Sequence, residues 1–187
     1  RSQAGRAPTN AQHALAQHHG AFRDCESMLI GIDPEQYRRQ PWYVEWPINV
    51  IVAHVHDVER YFFAAILNTL QNPQPEPLDD EATAAVAGEP LAIPADLPLE
   101  QMWGDFARLH ARVTDAFTGL TDTELELQTP AWEPEPWPTI EFRLHRFDSH
   151  LREHANQLEK VLALLDCRPN EAKMLLRQMY AALAEVE

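Results

Sequence analysis

Apolar side chains along the chain recur at spacings of three and four, the period of a helix with one buried face, and the strict alternation of half-buried strands is largely missing. The first such segment runs from about Ala11 to Ile32, where Gly31 and Pro34 in the sequence GIDPEQ close it. After a loop holding Pro41, Trp42 and Trp46, Pro47 opens a second helix from about Ile48 to Leu70 that buries Ile51, Val55, Val58 and Phe62. The stretch from QNPQPEPLDD to about Pro98 is rich in proline and acid, has no apolar period and is expected to be a long surface connection. A third helix is predicted from about Leu99 to Leu120, with Met102, Phe106, Leu109, Val113 and Phe117 on its inner stripe. The run TPAWEPEPWPT, with four prolines, cannot be regular helix. A fourth helix follows from Thr139 to about Asp166, and Pro169 begins a shorter fifth.

Four long amphipathic helices predict an all-α chain: one four-helix bundle domain over residues 1–187, with a short C-terminal helix packed on it. The connection of nearly thirty residues between the second and third helices is longer than an antiparallel hairpin needs. It permits a crossover that leaves those two helices parallel.

Composition agrees with helix and narrows the partners. Only 6 of the 187 residues are glycine, and 45% are hydrophobic, enough for one buried core. The 15 basic against 29 acidic residues give a formal charge of -14, which opposes a phosphate backbone, so no nucleic-acid partner is expected. No apolar run approaches the roughly 20 residues needed to span a bilayer, and RSQAGRAPTN lacks the apolar region of a secretory signal. The expectation is a soluble, cytoplasmic protein with no membrane partner, although a chain that begins at Arg1 does not itself fix the native start. Cys25 and Cys167 are isolated from each other and from any CxxC motif, and both are expected to be small core residues.

The chemistry lies in the histidines. On the fourth helix the inner stripe reads Ile140, Leu144, Phe147, Leu151, His154, Leu158, and His150 stands one turn before His154. Two imidazoles four residues apart share a helix face about 6 Å from each other and can chelate one ion. His54 lies between Ile51 and Val58 on the second helix and also points inward. Buried imidazoles need partners, and one metal ion satisfies all three together. Nine histidines readily yield one HxxxH pair by chance, so the pair alone is weak, and core histidines hydrogen-bonded to carboxylates or backbone are the competing reading. His56 faces elsewhere than His54, His145 is off the fourth-helix stripe and His110 is alone on the third helix, so each is expected at a solvated or rim position; His18 on the first helix can approach the site, but the sequence gives no reason to prefer it. Asp57, one turn beyond His54, is a candidate catalytic or ligand-orienting acid, with an ordinary exposed acid as the alternative. The sequence His150-Leu-Arg-Glu153-His154 also spells the inverted zinc-peptidase motif, but too little chain follows it for that class, and Glu153 falls on the wet side.

A tryptophan before the second helix, a histidine early on it, and HxxxH followed by glutamine on a later helix are met here by Trp46, His54, His150, His154 and Gln157. In this order the chain resembles the DinB/YfiT-like family of metal-dependent enzymes. The resemblance implies a four-helix bundle in a variant of up-and-down topology, a divalent metal held by His54, His150 and His154, and a homodimer. Some relatives look like thiol-dependent transferases or isomerases using mycothiol, bacillithiol or glutathione; others look like hydrolases or stress-induced proteins. The expected function is therefore a metal-dependent enzyme acting on a small-molecule substrate, an S-transferase with a low-molecular-weight thiol at the open metal position. A metal-dependent hydrolase and a non-catalytic, stress-related metal-binding protein are the alternatives. Zinc or nickel is the expected ion, with manganese or iron next, since imidazole ligands alone do not select further.

Overall fold

The computed structural model describes residues 7–42, 44–132 and 135–186. Helix α1 spans Asn10–Leu29 and opens on a capping box between Thr9 and Gln12. It ends three residues earlier than its apolar pattern suggests. Asp33 caps a second start, accepting from the backbone of Glu35 and Gln36, and with Pro34 in the first turn it opens the short α2, Pro34–Arg38. The GIDPEQ sequence is thus both a stop and a start.

Helix α3 (Ile48–Gln71) follows Pro47. The expected structureless connection after it contains a helix, α4 (Asp80–Ala87), capped by Asp79 and closed by Gly88 in the left-handed conformation at φ 64°. Its side chains are mostly small, with only Thr83 and Ala87 buried, so no strong period marks it. Helix α5 spans Leu99–Phe117, and a single capped turn, α6 (Asp122–Leu125), stands after it. The proline-rich segment is pinched at its ends, where Thr129 N–H donates to Pro138 O and Ile140 N–H to Leu127 O. Helices α7 (Ile140–Leu164) and α8 (Glu171–Ala184) complete the chain.

Ring and backbone contacts fix the directions of the four long helices. His18 meets Phe147 and Cys25 meets Leu151, so α1 and α7 run parallel. His54 meets His154 and Phe62 meets Phe147, so α3 opposes α7. His56 packs on Phe106 and Phe63 on Phe117, so α3 and α5 are parallel, as the long connection allows. Glu26 pairs with Trp103 and His19 with His110, so α1 opposes α5. The helices therefore form a ring in which sequence neighbours α1 and α3 face each other across the core.

That core has two apolar halves, one around Phe22, Ile51, Met102, Phe106 and Leu151, the other around Phe62, Phe63, Leu109, Phe117 and Phe147. Helix α8 lies outside, where Arg177 binds Asp24 of α1 and Glu159 of α7. None of its residues is buried, and Met174, Leu175, Met179 and Leu183 remain exposed. No described helix is long and apolar enough to cross a membrane.

Candidate metal centre

The helix directions bring His54 of α3 to the paired histidines of α7. His150 and His154 are buried and His54 is partly so. One ring nitrogen from each lies within 4.8 Å of the other two. His54 packs at 5.3 Å from His150 and 4.9 Å from His154, centroid to centroid.

The proton positions follow from the partners. His154 Nδ1 is 2.8 Å from Gln157 Oε1, and an amide oxygen only accepts. His154 therefore carries its proton on Nδ1 and turns the lone pair of Nε2 to the centre, 3.1 Å from His150 Nε2. Nitrogens around a tetrahedral ion at about 2.0–2.1 Å stand about 3.3 Å apart, so the observed separation fits two ligands of one ion. Burial, more than any other cause, pushes all three imidazoles below their ordinary pKa. His150 falls to about 3, helped by His154, His54 and Arg146. The three rings are neutral at neutral pH, the form in which imidazole binds metals.

Trp46 closes one side, edge-on to His54 at 5.1 Å and stacked on His154 at 6.5 Å. Beside His54 opens a cleft of about 360 Å³ whose walls include Trp46, Asp57, Arg60 and Leu91. The chain after α4 forms one wall because Asn49 donates to Ala95 O at 2.8 Å and Arg60 to Pro90 O. Asp57 stands at this cleft, half-exposed, and accepts from Arg60 Nη2 at 2.6 Å. It is outside the group of convergent ligand atoms.

The family model of the DinB superfamily matches residues 17–158. The chain belongs to the DinB superfamily. Comparison with curated proteins and with solved structures finds no match. The matched span of this DinB-superfamily chain includes His54, His150, His154 and Gln157, so the histidine centre is set in the shared part of the bundle.

Other expectations need correction. His110 is buried at 5% exposure and His56 at 1%, where solvated or rim positions were expected. The α3 helix is covered by α7, α5 and α4, so a side chain turned from one of them meets another. Burial lowers the His56 pKa to about 4 and that of His110 well below the usual range. His110 had a readable signal, because Phe106, His110, Val113 and Phe117 are themselves spaced by four, three and four. His145 and Glu153 are exposed, as expected. Of the α7 arginines, Arg152 pairs with Asp148 at 2.7 Å, and Arg143 is fully buried against the rings of Phe62 and Trp132. Cys25 is a core residue, its thiol pKa raised by burial, while Cys167 is only partly covered.

Proposed function

We propose that this protein is a divalent-metal-dependent enzyme that activates a low-molecular-weight thiol for transfer to an electrophilic small molecule. The observation that carries the reading is the convergence of three neutral imidazoles, His54, His150 and His154, on a point beside an open cleft. Three protein ligands with an open side form the catalytic pattern, whereas structural sites are usually closed by four. A divalent ion held by these residues supplies Lewis acidity, which favours the thiolate over the thiol near neutral pH. Zinc or nickel suits the donor set best.

The remaining work falls to the chain's own groups. Gln157 fixes the His154 ring, and Trp46 limits water access from its side. Arg60, buried in the cleft wall, binds Asp57 and Pro90 O and so holds the Asp57 carboxylate at the cleft. Asp57, accessible from the cleft, is placed to hydrogen-bond a ligand bound there.

The test begins with protein purified without nickel resin and assayed for metal by elemental mass spectrometry. Bacillithiol, mycothiol, glutathione and cysteine are then offered with a chromogenic electrophile, with zinc, nickel, manganese or iron supplied in turn. Thiol-dependent turnover that His54→Ala abolishes is the expected result. Turnover of an activated ester without thiol assigns a hydrolase instead, and full metal occupancy without turnover assigns a metal-binding role.

A further inference from the structure

A second set of donors meets inside the bundle, contributed by α1, α3 and α5. His18, Glu59 and His110 are 0%, 2% and 5% exposed. A nitrogen of each histidine and a carboxylate oxygen of Glu59 lie within 4.8 Å of one another. Each occupies a core position of its helix: His18 between Leu15 and Phe22, Glu59 between Val55 and Phe62, His110 between Phe106 and Val113. Together they form a polar layer where the two apolar halves of the core meet, with Phe22 stacked on His110 from one half and Phe147 packed on His18 from the other.

Polar atoms at this depth require partners, and a carboxylate most of all. His18 Nε2 meets Glu59 Oε1. Glu59 Oε2, His18 Nδ1 and His110 Nδ1 have no hydrogen-bond partner among the described residues. His110 Nε2 is 3.0 Å from His19 Nδ1. When that contact is donated by His110, the lone pair of His110 is left on Nδ1, its unpartnered atom. His19 then serves His110 as Gln157 serves His154.

We propose that His18, Glu59 and His110 form a second divalent-cation site, built of two imidazoles and one carboxylate. This donor set suits zinc or ferrous iron, and the carboxylate supplies a compensating negative charge that the all-histidine centre lacks. The two sites are separate: Phe62 and Phe147 pack on each other, with Phe147 against His18 and Phe62 against His150. An ion here ties α1, α3 and α5 together across the middle of the core, so its role is to hold the bundle rather than to meet substrate. The inference stands independently of the transferase reading.

The experiment counts ions. Protein purified without nickel resin and loaded with zinc is examined by native mass spectrometry, with chelator-dependent thermal unfolding alongside. The expected result is two zinc ions per chain in the wild type and one in the His54→Ala/His150→Ala/His154→Ala variant. In that triple variant, chelation lowers the unfolding temperature, and adding Glu59→Gln removes the remaining ion. A folded triple variant that binds no zinc, or a Glu59→Gln variant that keeps every ion the wild type holds, overturns the proposal. Where the triple variant does not fold, the single Glu59→Gln variant decides, by holding one ion fewer than the wild type. Loss of the histidine centre leaves the second ion in place, so the two sites are read separately.

Discussion

His154 Nδ1 and Gln157 Oε1 lie 2.8 Å apart, less than one turn from each other on α7, and this contact decides which nitrogen of His154 faces His54 and His150. Replacing Gln157 with leucine removes the acceptor and frees the ring to change tautomer. The expected outcome is a 10- to 100-fold loss of affinity at the histidine centre, the usual cost of losing such a partner. Competition with a chromogenic chelator measures it, and an unchanged affinity would show that Gln157 does not orient the ligand.

The double variant His150→Ala/His154→Ala removes two of the three donors at that centre. It is expected to lose one equivalent of metal while remaining helical, since Phe147, Leu151 and Leu158 still bury the inner face of α7. Elemental mass spectrometry and circular dichroism read the two outcomes. Metal content equal to wild type would place the ion elsewhere.

Thiol labelling distinguishes the cysteines. Burial raises the Cys25 pKa, so the thiolate that alkylating agents attack stays scarce through pH 9. Raising the pH from 7 to 9 leaves native Cys25 unlabelled by iodoacetamide, and only denaturant exposes it. Cys167, partly open, is expected to react first. Peptide mapping checks the order, and rapid native labelling of Cys25 would contradict its burial.

Phe106 joins α5 to α1 and α3, meeting Phe22 at 5.3 Å and His56 at 5.4 Å with none of its own surface exposed. Truncating it to alanine leaves a cavity that the surrounding rings do not fill. A loss of about 3–5 kcal/mol is expected in urea unfolding, the range for buried aromatics. A loss below about 1 kcal/mol would mean that the core collapses around the gap.

The long helices and the histidine centre were legible because their signals are local and repeated. Ile51, His54 and Val58 mark one stripe, and Leu151, His154 and Leu158 mark another, so His54 and His154 are readable as inward without knowing how the helices meet. The short helices α2, α4 and α6 are stabilised chiefly by caps and by contacts with other elements. Asp33, Asp79 and Thr121 announce them, but the short apolar segments behind those caps carry no period. The polar layer was missed for another reason. His56 turns away from the His54 stripe yet meets α5, because helices in a ring have neighbours on two sides, whereas His110 lies on the stripe of Phe106, Val113 and Phe117 and is inward by its own spacing. That Glu59 belongs with His18 and His110 is a property of the packing alone, since the three lie on different helices.

The parallel pairing of α1 with α7 also sets a timetable for synthesis. Cys25 donates to Leu151 O across 126 residues, so α1 leaves the ribosome long before the α7 residues it packs on. At about 5–20 residues per second, that interval is on the order of ten seconds. Throughout it Phe22, Cys25 and Met28 lack the neighbours that later cover them from α7. Such distant contacts slow folding relative to a bundle of successive hairpins, and the waiting apolar stripe of α1 is a natural point of engagement for a chaperone. Ribosome-bound chains stalled before and after residue 151 should therefore differ sharply in how readily a protease cuts within α1.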